Sequence, residues 1–282
     1  MAEILGRPVI GHILDRMQRA SSLDEVVVAT STDNADTPIA EYAKSRSIRC
    51  FRGHPDDVLE RILGAAKAFG ADQIVEVGGD CPLVDADLID HGVGVFRKTN
   101  ADIVSNSLFP PMTYPVGYDF ILVKTSVLET AHREASLQSE RFQPFQYLVK
   151  NANRWKVELL LSPEFLNQWR WTLDYPEDLE FMRQIFSRLY PKNPDFRFAD
   201  IKACLAAEPA LSEINGKYAV IVEDEAIWFT GSYLKEAHAD VRHLMNDAYA
   251  LEGLGELSKA GEKYKAAMEL IAKADVVLAL GT

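Results

Sequence analysis

Two aspartates in this sequence stand at points where a predicted strand gives way to a turn. Asp80 follows the apolar run of residues 73–77 and a pair of glycines, and Pro82 prevents an immediate helix after it. In an open parallel sheet, ligands bind beyond the carboxyl ends of the strands. Asp80 is therefore a candidate ligand-binding carboxylate. The alternative is that it serves only as a turn or capping residue.

The second candidate is Asp174, which ends the strand-like segment of residues 169–174. Pro176 is typical of the first position of a helix, so a helix is predicted to begin there. The acidic residues Glu177 and Asp178 are explained by the favourable interaction of carboxylates with a helix amino terminus. Asp174 lies one residue too early for that explanation, so it remains available for another role.

A pair of carboxylates at strand ends suits a hard divalent cation. Mg²⁺ typically takes one or two protein carboxylates and keeps its other positions for water and substrate phosphates. We therefore predict that Asp80 and Asp174 are catalytic residues that bind Mg²⁺ together.

The elements that must position these residues alternate along the chain between helical and strand-like patterns. Such alternation is typical of an α/β protein in which helices cover both faces of a mainly parallel sheet, that is, a Rossmann-like three-layer fold. The helix at residues 9–17 opens this pattern without a strand before it. The predicted strands are residues 25–30, 48–51, 73–77, 101–105, 118–123, 155–161 and 169–173. The predicted helices are residues 9–17, 38–45, 56–69, 86–96, 127–133 and 176–189.

Composition narrows the class of protein. The chain has 282 residues, of which 48% are hydrophobic and 26% charged, as in ordinary globular proteins. Its net charge of −12 argues against broad binding to nucleic acid or to anionic membranes. No apolar run approaches the ~18 to 20 residues that span a bilayer, and the start of the sequence does not resemble a signal peptide, so a cytoplasmic location is expected. Three widely spaced cysteines indicate reduced thiols.

Several common catalytic motifs are missing from the sequence. It contains no phosphate-binding loop of the G-x-x-x-x-G-K-[ST] type and no G-x-G-x-x-G after a predicted strand. It also lacks a G-x-S-x-G nucleophile elbow. A P-loop NTPase, a dinucleotide-dependent dehydrogenase and a serine hydrolase of that type are therefore all disfavoured.

The domain organisation is predicted to change near residue 216. Residues 1–215 carry the alternating pattern, whereas residues 216–282 begin with an apolar strand-like run and continue as amphipathic helical segments. One helix pair in this extension has the spacing of a single tetratricopeptide-like unit. Because a solenoid needs about three repeats, a plain helical hairpin packed on the main domain is the favoured alternative.

Several stretches of the sequence resemble the sugar nucleotidyltransferases of the cytidylyltransferase type. The similarity is greatest to the branch for spore-coat polysaccharide biosynthesis, which is related to the acylneuraminate and KDO cytidylyltransferases. The matching stretches span most of residues 4–190 in order. They are Asp24-Glu-Val-Val-Val-Ala-Thr-Ser31, Phe51-Arg-Gly-His-Pro-Asp-Asp-Val-Leu-Glu-Arg61, Gly79-Asp-Cys-Pro-Leu-Val-Asp85, Ala101-Asp-Ile-Val-Ser-Asn106, Tyr114-Pro-Val-Gly117, Ser139-Glu-Arg141 and Arg170-Trp-Thr-Leu-Asp-Tyr-Pro-Glu-Asp-Leu179.

This resemblance implies an enzyme that joins a sugar, often a sugar acid, to the α-phosphate of CTP and releases pyrophosphate. It implies that Asp80 and Asp174 hold Mg²⁺, and the product would serve surface polysaccharide or glycan synthesis. By the same resemblance, nucleotide or sugar binding falls to Thr30, Arg52, Asp57, Gly79, Arg141 and Arg170.

The resemblance carries three further expectations. Family members begin with a strand and a basic loop that holds the CTP phosphates, so this segment is expected to be missing ahead of Met1, and activity would depend on it. A homodimer is expected to form through residues 110–123. Glu76 stands where the family often has Arg, and Ile121 stands where an acidic residue is common, so the sequence departs from the family at both positions.

Two alternative functions stay open from the sequence. One is a non-catalytic protein that binds nucleotide sugars or acts as a scaffold, with the extension as an interaction module. The other is a Mg²⁺-dependent glycosyltransferase, since that class also uses carboxylates at strand ends. Pyrophosphate as the product would distinguish sugar activation from glycosyl transfer, which yields free nucleotide.

Overall fold

A computed structural model describes residues 1–109 and 112–218 of the chain. Within these residues the elements alternate as the sequence predicts. The strands are β1 (Glu3–Ile4), β2 (Arg7–Pro8), β3 (Val28–Ser31), β4 (Cys50–Gly53), β5 (Gln73–Glu76), β6 (Ile103–Ser105), β7 (Ile121–Lys124) and β8 (Val157–Leu159). The α-helices are α1 (Val9–Met17), α2 (Thr37–Ser45), α3 (Val58–Phe69), α4 (Ala86–Thr99), α5 (Thr125–Glu134), α6 (Gln138–Phe142), α7 (Gln146–Lys150), α8 (Pro176–Leu189) and α9 (Phe198–Ala207).

The strands of the domain form two main sheets. A two-stranded parallel sheet pairs β3 with β4, and a four-stranded sheet has the order β5-β7-β6-β8. Strand β7 runs antiparallel to both of its neighbours, while β6 and β8 are parallel. Since β5 and β6 both oppose β7, the strands β5, β6 and β8 point the same way. The predicted α/β class with a sheet rich in parallel strands is therefore confirmed, with one reversed strand in the middle.

Local sequence signals set several helix boundaries. The Asp57 carboxylate accepts a hydrogen bond from the Glu60 backbone N–H at the start of α3, at 2.9 Å. The predicted cap of α4 is also present, because Asp85 accepts from the backbone N–H of Asp87 at 2.8 Å. Such caps satisfy backbone donors that have no partner inside the helix and stabilise it by about 1 kcal/mol each.

The core lies on both faces of the four-stranded sheet. Helices α4, α8 and α9 cover one face around Trp171, Phe181 and Phe186, which are fully buried. Helices α3, α5 and α7 cover the other face, where Leu59 and Leu128 are fully enclosed. Three layers result, as the alternating pattern predicts.

The predicted strand at residues 169–173 is wrong. This segment does not pair with a strand of either main sheet; its one β-bridge is parallel and joins Arg170 to Val116. The apolar residues here are buried because Trp171 packs in an aromatic cluster with Tyr118 and Phe198, rather than because they form a strand of the sheet.

Two further differences concern the beginning of the chain. A short antiparallel hairpin, β1 with β2, precedes α1, although no strand was expected there. It lies outside the two main sheets. The predicted strand at residues 25–30 begins only at Val28, because Val26 and Val27 have no neighbouring strand to pair with among the described residues.

Among the helices of residues 1–109 and 112–218, none combines the length and apolar character needed to cross a membrane. The predicted tetratricopeptide-like pair falls within residues 219–282, outside the described residues. Pro110 and Pro111, where the expected dimer contact begins, also lie outside them.

Candidate active site

The turn after β5 places the Asp80 carboxylate at the carboxyl end of that strand. The Cys81 backbone N–H donates to the Gly78 carbonyl oxygen at 3.1 Å and closes the turn. A Cβ atom added at Gly78 would lie 2.3 Å from the Asp80 Oδ1 atom. Glycine is therefore required at this position for the carboxylate to occupy its place.

Thr172 brings the two predicted acids together. Its side-chain Oγ1 lies 3.1 Å from the Oδ2 atom of Asp80 and 3.5 Å from the Oδ2 atom of Asp174. The two carboxylate oxygens are therefore no farther apart than the sum of those distances. Residues 80 and 174, which are almost a hundred positions apart in the sequence, face the same point beyond the sheet.

A buried ion pair holds the segment that carries Asp174. Arg170 donates to the carboxylate of Asp178 through Nε and a terminal nitrogen, both at 2.9 Å, and Asp178 is fully buried. Asn215 donates to the same carboxylate at 2.8 Å. These contacts and two backbone N–H groups lower the pKa of Asp178 even though burial by itself would raise it. Asp178 is thus a structural anchor, and not simply a residue that favours the helix terminus.

The same arginine reaches the site itself. A terminal nitrogen of Arg170 lies 2.6 Å from the Asp174 carboxylate, and the backbone N–H of Asp174 donates to Asp178 at 3.0 Å. Asp174 is therefore fixed by both its side chain and its backbone. The side chain of Asp174 remains about half exposed, so it is accessible from solvent.

Gly117 allows a second close approach that shapes the site. Its φ angle is +90°, and a Cβ atom there would lie 2.2 Å from the Thr172 backbone nitrogen. Next to this contact, the Val116 carbonyl oxygen accepts a hydrogen bond from the Trp171 N–H, and the Val116 N–H donates to the Trp169 carbonyl oxygen. The Tyr114-Pro-Val-Gly117 motif thus places the backbone that carries Thr172.

Two further carboxyl groups lie near Asp80. Burial and the charges of Asp80 and Asp119 raise the pKa of Glu76 to about 7. Burial raises the pKa of Asp119 to about 7 as well, with a further increase from Asp80, although a hydrogen bond from the Gly117 N–H opposes the shift. Burial and the neighbouring carboxylates therefore favour the protonated, neutral forms of Glu76 and Asp119.

These donors fit a bound Mg²⁺ ion. Asp80 and Asp174 offer hard oxygen atoms close to each other, and Arg170, which donates to Oδ2 of Asp174, also shares its charge with buried Asp178. Within the part of the chain that the structure describes, no group of three or more Asp, Glu, His or Cys side chains is arranged to hold a metal ion. Two protein carboxylates with the remaining positions open match the way Mg²⁺ is commonly bound beside phosphates.

The other predicted binding residues lie mainly at the ends of β3 and β4 and of α3. The Thr30 hydroxyl donates to Asp36 at 3.2 Å, and Arg52 donates to the carbonyl oxygens of Ser31 and Asp33 at 2.9 and 2.6 Å. Arg52 therefore braces the loop that follows β3. The polar groups of Thr30 and Arg52 are engaged within the protein.

The remaining members of the predicted set are Asp57, Arg141 and Gly79. Asp57 and Arg141 form an ion pair at 3.0 Å that links the start of α3 to α6. Gly79 is exposed in the turn next to Asp80 and has open space where a side chain would be. The structure thus pairs Asp57 with Arg141 and places Gly79 beside the acidic site.

Sequence reasoning missed three residues that build the site. Thr172 could have been found, because residues two apart in an extended segment point to the same side and Asp174 follows at that spacing. Asp178 was assigned only to the helix terminus. Asn215 carries no local signal, since it meets Asp178 and the Arg170 carbonyl from a distant part of the chain.

The fold and the family define the class of protein as an α/β nucleotidyltransferase with the nucleotide-diphospho-sugar transferase fold. The cytidylyltransferase family model matches residues 1–158, so the chain belongs to that family. The solved structure of a cytidylyltransferase from Leptospira borgpetersenii serovar Hardjo-bovis superposes with a TM-score of 0.70 at 26% identity. It covers 74% of this chain and 87% of that one.

Two curated relatives are also similar. The spore coat polysaccharide biosynthesis protein SpsF of Bacillus subtilis is 25% identical over 189 residues, which are 66% of this chain and 76% of the relative. The 3-deoxy-manno-octulosonate cytidylyltransferase of Geobacter sulfurreducens is 33% identical over 101 residues. That match covers 36% of this chain and 40% of the relative.

Proposed function

We propose that this chain transfers the cytidylyl group of CTP to a sugar acid and releases pyrophosphate. The observation that carries the proposal is the joining of Asp80 and Asp174 through Thr172 at the carboxyl end of β5. The cytidylyltransferase family and the sugar-acid substrate named for the Geobacter sulfurreducens relative support the choice of substrates.

The reaction is a displacement at the α-phosphorus atom of CTP. A hydroxyl oxygen of the sugar acid forms the new bond to phosphorus and loses its proton to solvent. The bond from phosphorus to the bridging oxygen breaks, and pyrophosphate leaves with that electron pair. Catalysis of such transfers consists mainly of alignment and of stabilising charge on the phosphate oxygens.

Different residues of this chain would bind the metal ion, position its ligands and bind the substrates. Asp80 and Asp174 would hold Mg²⁺, which, when bound, supplies positive charge to the phosphate oxygens. Thr172 and Arg170 keep the two carboxylates in place, and buried Asp178 fixes the orientation of Arg170. Thr30, Arg52, Asp57, Gly79 and Arg141 remain proposed contacts for nucleotide or sugar.

The test is a measurement of pyrophosphate release. Purified protein is incubated with CTP, Mg²⁺ and 3-deoxy-manno-octulosonate, and the same reaction is run with Asp80→Asn. Pyrophosphate together with a CMP-sugar is expected from the unchanged chain, and strongly reduced release from the variant. In a separate reaction without CTP, release of CMP from a CMP-sugar together with transfer of its sugar to an acceptor would indicate glycosyl transfer instead. Binding of CTP without any product would favour the non-catalytic alternative.

A further inference from the structure

Residues 215–218 lie against the start of α8, from which they are distant in the sequence. Asn215 is 2% exposed and donates to the Arg170 carbonyl oxygen at 2.9 Å and to the Asp178 carboxylate at 2.8 Å. A short 3₁₀ helix follows at Gly216–Tyr218, and the Tyr218 N–H donates to the Asn215 carbonyl oxygen at 3.0 Å. This turn brings the Tyr218 side chain to the first turn of α8.

Tyr218 forms an aromatic pair with Tyr175. The two rings are stacked, with their centroids 4.0 Å apart and an angle of 10° between their planes. The polar contacts beside the rings are weaker. The Tyr218 hydroxyl donates to the Glu177 carboxylate at 3.3 Å, and solvent-exposed Lys217 pairs with the same carboxylate. Because exposed ion pairs contribute little and aromatic pairs contribute beyond the area they bury, the ring contact is the main attachment of Tyr218.

Tyr175 connects this aromatic pair to the proposed metal site. It directly follows Asp174 and has an extended backbone, with φ of −115° and ψ of 159°, just before α8 begins at Pro176. The backbone N–H groups of Asp174 and Tyr175 donate to the same oxygen of Asp178, at 3.0 and 2.9 Å. The Arg170 guanidinium carbon lies 5.3 Å from the centre of the Tyr175 ring. Both the ring and the backbone of Tyr175 are therefore held in place.

The stack matters because the junction between Asp174 and α8 is otherwise open to solvent. Tyr175 is 45% exposed, and without Tyr218 the face of its ring that now carries the stack would also be open. The Asp174 side chain is itself about half exposed, so few contacts restrict it. The groups that orient a metal ligand commonly change metal affinity by about 10- to 100-fold when they are removed.

From these contacts we propose that Tyr218, stacked on Tyr175, is a positioning residue that fixes the Asp174 carboxylate for metal binding. The inference rests on the proposed function, in which Asp174 is a ligand of Mg²⁺. Tyr218 touches neither the metal nor a substrate, and it acts through Tyr175. The affinity of the site for metal therefore depends on a residue far along the chain from the ligand that it positions.

The test compares full-length variants that remove the aromatic ring or keep it. Tyr218→Ala removes the stack, whereas Tyr218→Phe keeps the ring and removes only the hydroxyl group. The matched control is Tyr190→Ala, because Tyr190 is also half-buried and stacks on Phe186 at the other end of α8. Tyr218 lies outside both core clusters that cover the four-stranded sheet, so its variants should fold.

The first measurement does not depend on a metal. Amide hydrogen exchange is followed by NMR at Asp174 and Tyr175, with Leu122 in β7 as the reference for opening of the whole domain. In Tyr218→Ala, exchange at Asp174 and Tyr175 relative to Leu122 should be at least about fivefold faster than in the unchanged chain. Tyr218→Phe and the control should stay within about twofold of the unchanged chain.

The second measurement is the affinity for Mn²⁺, titrated by electron paramagnetic resonance. Tyr218→Ala should bind Mn²⁺ about tenfold more weakly, and Tyr218→Phe should restore the affinity to within about twofold. Tyr190→Ala should keep the affinity of the unchanged chain. A role confined to stability would lower the fraction of folded chains without changing the affinity of the folded ones, so it would not give this pattern.

Three results would each overturn the proposal. The first is unchanged relative exchange at Asp174 and Tyr175 in Tyr218→Ala, and the second is faster exchange there with unchanged affinity for Mn²⁺. The third is an equal loss of affinity in Tyr190→Ala. Failure of the proposed function has a different signature, because Asp174→Asn would then bind Mn²⁺ as tightly as the unchanged chain. That result refutes the role of Tyr218 in metal binding together with the metal site, whatever the exchange rates.

Discussion

Replacement of Gly78 by alanine is the most informative single change, because it moves the Asp80 carboxylate without removing any charged group. The added Cβ would lie 2.3 Å from the Asp80 Oδ1 atom, whereas ordinary contact begins near 3.4 Å. The carboxylate must therefore move by roughly 1 Å. Since the atom that gives way is the end of a side chain, the fold should lose little stability.

The expected loss in rate follows from the sensitivity of catalysis to the position of the catalytic groups. A misplacement of about 1 Å typically costs about 10²-fold in rate, equivalent to about 2.7 kcal/mol of transition-state stabilisation. We expect a loss of that size in pyrophosphate release. Metal affinity should fall by about 10-fold or more, as is common when a group that positions a ligand is disturbed.

The assay measures the metal directly, so it does not depend on the identity of the sugar. Binding of Mn²⁺, a paramagnetic substitute for Mg²⁺, is titrated by electron paramagnetic resonance for the unchanged chain and for Gly78→Ala. The matched control is Gly94→Ala in α4, where an added Cβ would have no heavy atom within 4 Å. An affinity for Mn²⁺ within twofold of the unchanged chain in Gly78→Ala would refute the assignment of Asp80 as a metal ligand.

Three other changes test the surrounding structure. Gly117→Ala forces a positive φ angle on alanine and a clash between its Cβ atom and the backbone of Thr172. The free energy of unfolding, measured in urea, should therefore fall by about 3 kcal/mol. A fall of less than about 1 kcal/mol would contradict the close approach. Asp178→Asn leaves the buried Arg170 guanidinium without its main charged partner. The free energy of unfolding should fall by about 3 to 5 kcal/mol in the same measurement. Near-normal stability would rule out the anchoring role of Asp178. The pKa of Glu76 is raised from 4.5 to about 7, so the folded chain keeps a proton that the unfolded chain has lost between these values. The free energy of unfolding should therefore fall as pH rises from about 4.5 through 7, and Glu76→Gln should remove about 3 kcal/mol of that fall. Identical pH profiles for both chains would refute the shift.

Glu76 and Ile121, the two positions at which the sequence is expected to depart from the family, are neighbours in the structure. The two residues are directly opposite each other in the ladder between β5 and β7. A carboxyl group therefore lies opposite an apolar residue across this ladder, where no charge pair can form. The sequence alone gives no reason to connect positions 76 and 121.

Much of the fold could be predicted because its signals are local. The apolar spacing from Val9 to Met17 gives α1, the Asp85 side chain gives the start of α4, and Pro176 gives the start of α8. The predicted strand around Trp171 is wrong, because a run of large apolar residues has the same sequence pattern whether it is buried in a sheet or in an aromatic cluster.

The residue types and the local spacing by themselves determined most of the order of helices and strands, the cytidylyltransferase resemblance and the place of Asp80 after β5. Each of these depends on neighbours within a few positions. The tertiary structure alone decided that Thr172 joins the two acids and that Asn215 and Asp178 hold Arg170. These features depend on atoms brought together from distant parts of the chain, and short-range periodicity carries no information about such distances.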